Sequence, residues 1–338
     1  MNSIRKILET KGSVGLTAGW RRNGIRYKKR AVSLLWALFR VALLFGLSFV
    51  LLYPLIYMLS MAFRQPIDMA NPAVIWIPRH VTLDNLKDAF SFMDYPKSLW
   101  NTIRLGLVSS LLQVISCSLV GYGFARFQFK FKGLAFALVI FTIVVPPQVV
   151  YVPTYMMYKQ FDVLGIMKLL SAIIGRDMHI NLLDSALTLY LPAMFGVGIR
   201  SGLFIYIFRQ FYRNLPRELE DAAYIDGCGH FKTFLRIIAP NAKAAFLTVI
   251  LFSIVWYWND YYYISMYFSN VKTVSTALSG LMDAFTTDVS FEAIRTDPYM
   301  ITTRLQAGCL LAILPMLLMY IVLQKHFTEG IERTGLVG

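Results

Sequence analysis

The chain has 338 residues, 57% of them hydrophobic and only 15% charged, and it carries a formal net charge of +14. A soluble domain usually has about a quarter of its residues charged, so this composition excludes an ordinary soluble enzyme. The excess of Lys and Arg reads as a membrane-orientation signal with attraction to anionic lipid, not as a nucleic-acid surface.

Residues 1–40 hold ten basic side chains (Arg5, Lys6, Lys11, Arg21, Arg22, Arg26, Lys28, Lys29, Arg30 and Arg40) against one acid, Glu9. The apolar run that follows is longer than the roughly 7–15 residues of a signal peptide. This segment is therefore expected to remain as a basic cytoplasmic tail, with 31–39 as an interfacial helix. Residues 41–338 are expected to form an all-α membrane domain. Runs 41–61, 105–125, 133–158 and 305–324 contain no Lys, Arg, Asp or Glu; 185–208 is interrupted only by Arg200 and 244–268 only by Asp260. Each reaches the roughly 20 residues that a helix needs to cross about 30 Å of hydrocarbon. Six transmembrane helices are expected.

Basic residues without acids (Arg126, Lys130 and Lys132) fill the connection after the second run. The connection after the fourth adds Arg209, Arg213, Arg217, Lys232, Arg236 and Lys243. The positive-inside rule puts both connections and both termini in the cytoplasm. Segments 62–103, 159–184 and 268–303 then lie outside. Pro146-Pro147, Pro192 with Gly196 and Gly198, and Pro315 mark irregular helices inside the runs. Cys117 and Cys309 lie in apolar runs and Cys228 in the connection after the fourth run, on the cytoplasmic side where thiols stay reduced, so no disulfide framework is expected. The four histidines have no metal-ligand spacing, and no nucleophile motif or carboxylate pair occurs, so an enzyme is not expected.

The connection at 209–243 is the most patterned part of the chain. Asn214-Leu215-Pro216 can start a helix, and Glu218, Glu220 and Asp221 complement its positive end. Leu219, Ala222, Ala223 and Asp226 fall on one face by three- and four-residue spacing. Gly227-Cys228-Gly229 ends that helix. Phe231, Phe234, Leu235 and Ile238 repeat the spacing in a second short helix before Pro240. Periodicity fits two readings equally: a docking surface for a soluble partner, or an amphipathic hairpin lying on lipid headgroups.

These residues resemble the EAA loop of permease subunits in ATP-binding-cassette (ABC) importers, whose pattern is Glu-Ala-Ala, three residues, Gly, nine residues, Ile, one residue, Leu-Pro. Here it reads Asp221-Ala222-Ala223, Gly227, Ile237 and Ala239-Pro240, with Asp for Glu and Ala for Leu. Further segments are similar to the sugar-importer branch, in particular the smaller permease of the maltose transporter. They are Trp100-Asn101-Thr102, Gly121 through Phe127, Arg209-Gln210-Phe211, Trp258-Asn259-Asp260 and Leu314-Pro315. The resemblance runs from about residue 41 to the end, with a longer outer loop near 175–180.

What the resemblance implies is a bacterial inner-membrane permease for carbohydrate or oligosaccharide uptake, forming half of a translocation path. Its expected partners are two nucleotide-binding ATPase subunits, a second related permease in a heterodimer, and an extracytoplasmic solute-binding protein. ATP and Mg would reside in the ATPase subunits, because the chain has no G-x-x-x-x-G-K-[ST] phosphate loop and binds no cofactor of its own. Glu220, Asp221 and Asp226 would supply helix-end charge and contacts, Ala222 and Ala223 a close fit, Gly227 the turn, and Ile237 and Pro240 the second helix. The tail after Gln324 is expected to reach the same subunits. The path is expected at Trp258, Asn259, Asp260 and Arg200, because aromatic faces stack on sugar rings and intramembrane charge is functional by default. The aromatics there suit the membrane interface somewhat better than the path, Asn259 and Asp260 less so.

Overall fold

The computed structural model describes residues 2–162, 165–166, 172–174, 179–287 and 297–335, with the side chains of 32–324 apart from Thr286. Among these residues no strand forms, and β pairing is limited to two isolated antiparallel bridges, Arg64 with Val81 and Phe161 with Ile180. The expected all-helical class is what the described chain shows. It divides into two compact units, Met1–Ser60 and Met61–Gly338.

The first unit is most of one helix, α1 (Asn2–Ala62). Its segment Val32–Ala62 is long and apolar enough to cross a membrane. The helix runs on through residue 40, the boundary expected between the basic tail and the membrane domain. No glycine or proline stands between 31 and 45, so nothing ends the helix where the charge thins out. Phe45 and Leu51 are 73% and 75% exposed, and a helix that is apolar all round needs an apolar surrounding such as lipid.

In the second unit α2 (Pro66–Met69) and α3 (Asp84–Phe92) precede the long helix α4 (Tyr95–Arg126). There follow α5 (Lys132–Val144), α6 (Pro147–Lys159), α7 (Leu187–Met194), α8 (Ser201–Asn214) and α9 (Glu218–Ile225). Next come α10 (His230–Asn241), α11 (Lys243–Trp258) and α12 (Tyr262–Tyr267). The chain ends with α13 (Val274–Ser279), α14 (Leu281–Thr287) and α15 (Pro298–Gly335).

The six apolar runs therefore fall into two kinds. Val32–Ala62, Tyr95–Arg126 and Pro298–Gln324 are unbroken helices able to span a bilayer by length and composition. The other three are interrupted. Pro146-Pro147 turns α5 against α6 by 101°. Gly196 and Arg200, both in the left-handed region (φ 71° and 58°), separate α7 from α8. Asn259 to Tyr261 separate α11 from α12. Counting the two sharply bent pairs, α5–α6 and α10–α11, at most five described segments meet the spanning criterion.

Helix α4 is the centre of the packing. With 32 residues it is about 48 Å long at 1.5 Å per residue. Its buried stripe is small and polar, with Gly106, Ser109, Ser110, Gln113, Ser116, Cys117 and Gly121. Such residues let helix backbones approach closely. A Cβ on Gly121 would lie 2.6 Å from the Cβ of Phe208 and 3.1 Å from the backbone nitrogen of Arg209. Gln113 ties three runs together: its Nε2 donates to the Ile199 carbonyl (2.6 Å) and Ser201 Oγ (2.8 Å), and its Oε1 accepts from Ser253 (3.1 Å).

Segment 62–103 is folded, not a loose loop. The Arg64 guanidinium donates to the Val74 and Ile75 carbonyls, and Asn85 donates to the Ala62 and Arg64 carbonyls. Asp88 pairs with Arg304 of α15 at 2.7 Å. The buried Asp68 carboxylate accepts the backbone N–H groups of His80 and Arg79, each at 2.8 Å. Those bonds, His80's first, hold its carboxyl below the usual range. The expected lengthening at 175–180 lies outside the described residues apart from His179 and Ile180, as do the side chains of the basic tail before Val32 and of the C-terminal tail after Gln324.

Candidate functional site

The segment 209–243 forms the two-helix unit that its periodicity predicts. Helix α9 opens with Glu218, Glu220 and Asp221 in its first turn, where acidic groups favour the positive helix end. Gly227 (φ 77°) then takes the left-handed conformation that closes it. The Gly227 N–H donates to the Tyr224 carbonyl (3.0 Å) and the Cys228 N–H to the Ala223 carbonyl (2.9 Å). This is the Schellman pair of bonds, which satisfies the last helical carbonyls and favours glycine at that position. Helix α10 contains a π-helical turn, Phe234–Ile238. Pro240 has no N–H to offer the Arg236 carbonyl, so the wider turn sits just before it. The Asn241 side chain donates to the Ile237 carbonyl at 2.7 Å.

The two helices split their side chains between an inner and an outer face. Glu220 and Ala223 are buried, whereas Asp221, Ala222 and Asp226 are exposed. The face grouping Leu219, Ala222, Ala223 and Asp226 is thus divided, because a two-turn helix lying flat buries a narrower stripe. In α10, Phe234 and Ile238 are buried while Phe231 and Leu235 are 65% and 52% exposed. Ile237 is half-buried and Pro240 is exposed at the turn into α11. Ile225, at the tip, is 86% exposed. The outer face therefore presents Ile225, Phe231 and Leu235 among Asp221, Asp226 and Gly227.

The inner face rests on the end of α4. Arg126 Nε lies 2.9 Å from Glu220 Oε1, with both side chains under a tenth exposed. The two atoms are not aligned as a hydrogen bond, so the contact is an ion pair. Arg126 Nη2 also donates to the Leu215 carbonyl at 2.8 Å. Tyr122 sits edge-on to Tyr212 and tilted against Phe234, with ring centroids 5.8 Å and 5.0 Å away. Phe127 meets the His230 ring edge-on at 5.5 Å. His230 Nδ1 in turn shares a 2.8 Å hydrogen bond with the Tyr224 hydroxyl. In the sequence Arg126 reads only as a topology marker. The signal that could have found it is its place in the Gly121–Phe127 segment, opposite a loop with three clustered acids.

The residues expected along the path sit at two of the helix breaks, Trp258, Asn259 and Asp260 where α11 gives way to α12 and Arg200 where α7 gives way to α8. Trp258 Nε1 donates to the Ala312 carbonyl of α15 (3.2 Å), and the Asn259 amide caps its own helix at Val255 (2.9 Å). The Asp260 carboxylate accepts the Tyr263 and Ile264 N–H groups (3.5 and 3.2 Å) where α12 starts. All three perform local work at the α11–α12 break. Arg200 holds its guanidinium 4.5 Å over the Trp256 ring. It lines a cleft of about 580 Å³ together with Thr142, Val150, Thr154, Gly198 and Tyr263. Trp258, Asn259 and Asp260 are not among the residues lining it.

Residues 118–333 match the family described as binding-protein-dependent transport system inner membrane component. The chain is similar to the lactose transport system permease protein LacG of Rhizobium radiobacter, 26% identical over 73% of this chain and 78% of that protein. It is similar to the arabinooligosaccharides transport system permease protein AraQ of Bacillus subtilis, 28% identical over 77% and 81%. Its fold matches a chain of a bacterial ABC transporter involved in the import of the acidic polysaccharide alginate. There the TM-score is 0.67 at 18% identity, over 87% of this chain and 96% of that one.

Proposed function

Because the chain belongs to the family of binding-protein-dependent transport system inner membrane components, and is thus a transport component and not an enzyme, we propose that it is a six-span permease subunit importing a carbohydrate or oligosaccharide. It forms half of a translocation path in the bacterial inner membrane, beside a second, related permease. Two separate ATPase subunits carry ATP and Mg, and an extracytoplasmic binding protein delivers the sugar. Segment 209–243 is the cytoplasmic coupling loop that the ATPase grips. The named sugar permeases to which the chain is similar support the substrate class.

One observation carries the docking assignment. The loop buries Glu220, Ala223, Phe234 and Ile238 against its own protein yet leaves Ile225, Phe231 and Leu235 outside on a firmly folded tip. A hairpin resting on headgroups would not need a Schellman turn, a π turn and a buried ion pair to fix its shape. A socket in a soluble partner does need a preset shape, since ordering a loop on binding lowers affinity. Affinity purification of the chain from its native membrane in mild detergent, with mass spectrometry, tests the assembly. An ATPase and a second permease are expected to be recovered; recovery of the chain alone after cross-linking contradicts it.

A further inference from the structure

The loop is bounded in sequence by α8 and α11, so those helices are the obvious recipients of any movement imposed on it. The contacts point to a third. Five parts of the segment (Tyr212, Leu215, Glu220, His230 and Phe234) touch the end of α4 and the residue just after it, through Tyr122, Arg126 and Phe127. Arg126 alone holds both the stretch of chain entering the loop, at Leu215, and the first loop helix, at Glu220. One turn back, Gly121 brings the α4 backbone against α8. At its other end α4 is fixed as firmly. The Tyr95 hydroxyl donates to the Leu311 carbonyl (2.8 Å), the Asn101 amide to the Lys272 carbonyl (2.9 Å), and the Val274 N–H to Thr102 Oγ1 (2.9 Å). Between these ends the helix is unbroken, whereas the runs containing α8 and α11 are both interrupted. A continuous, rigid helix held at both ends is the kind of element that can carry coupling between distant sites.

We infer that Arg126 and Glu220 form a latch that makes α4 the rod transmitting loop movement to the outer segment around 272–274. They are positioning residues: neither touches substrate or nucleotide. A buried ion pair adds little net stability over an apolar pair, so its worth here lies in fixing the loop to one helix. The inference rests on the proposed docking of an ATPase, and the test separates the two.

The complex is purified with its ATPase from the native membrane and reconstituted in liposomes, with Cys228 and Cys309 replaced by serine and Lys97→Cys as reporter. Lys97 is exposed at the outer end of α4. The rate of labelling by a membrane-impermeant maleimide is measured with and without ATP and vanadate. With the native pair the two rates are expected to differ about fivefold or more, the lower range of allosteric coupling. Arg126→Gln and Glu220→Gln are expected to abolish that difference while ATPase recovery and ATP hydrolysis persist. Arg126→Lys, which keeps the charge, is expected to restore it. A difference that persists in both Gln variants overturns the latch and leaves docking intact. Loss of ATPase recovery in those variants overturns it too, by making the pair part of docking itself. A reporter that never responds shows that α4 does not move, and the latch falls. If the unaltered chain recovers no ATPase, the docking assignment falls first and the latch with it.

Discussion

Two polar regions of this chain, the two-helix loop at 209–243 and the Trp258–Asp260 segment at the α11–α12 break, use their functional-looking residues in opposite ways. In the loop, one carboxylate is spent inward on Arg126, and two others, Asp221 and Asp226, face outward with no side-chain partner among the described residues. At 258–260 every conspicuous polar side chain already has a backbone partner. The lesson is that a motif offers a site to another molecule where its polar groups outnumber their internal partners. A motif whose groups are all engaged builds shape.

That contrast can be broken by mutation. The largest effect is expected at the latch. Arg126→Ala leaves the Glu220 carboxylate buried without a counter-charge, which typically costs about 3–5 kcal/mol. Thermal unfolding of the detergent-solubilised protein should register it, and a loss within the error of the assay would show that Glu220 reaches water. Next comes Gly227→Ala. A Cβ there meets nothing within 4 Å, but its φ of 77° is a conformation that costs an L-residue roughly 1–2 kcal/mol. The loop is expected to fray, seen as faster amide exchange at Gly227 and Cys228, while the membrane helices stay protected.

Asp260→Asn sharpens the other side. The carboxylate accepts two backbone N–H groups, so exchanging it for an amide is expected to cost about 1 kcal/mol and to leave uptake largely intact. Uptake lost with stability unchanged would return Asp260 to the path. The smallest effect on stability belongs to Asp221→Ala. An exposed substitution of this kind usually falls within about 0.5 kcal/mol, yet recovery of the ATPase with the chain is expected to fall. If recovery is unaffected, the outward acids of α9 take no part in docking.

Much of this architecture is legible in the sequence. Proline pairs and glycines inside apolar runs announce irregularity at 146–147 and 196–198, because a missing N–H or a left-handed φ is a local property. How strongly each interrupts its run is not legible: a bend of 101° depends on what packs against both halves. The loop's two helices and glycine turn follow from spacing and composition alone. Which of Ala222 and Ala223 turns inward does not, since it depends on the docking of α9 against Tyr122 and Arg126, residues from a distant part of the chain. The latch is hidden for the same reason. A lone arginine at a helix end satisfies the topology rule by itself, and only the folded chain reveals its carboxylate. The local role of Asp260 is hidden in a different way, because the carboxylate looks unpaired in the sequence until backbone N–H groups are counted as partners.

The most direct test of docking is site-specific photo-crosslinking in the intact membrane. A photoreactive residue replaces Ile225, the 86% exposed tip of the loop, and in a separate control variant it replaces Trp36, which is exposed on α1. Irradiation is expected to join the Ile225 probe to an ATP-binding subunit and the Trp36 probe to lipid. Adducts to lipid alone at both positions would make the loop a hairpin on the membrane surface and contradict the coupling role.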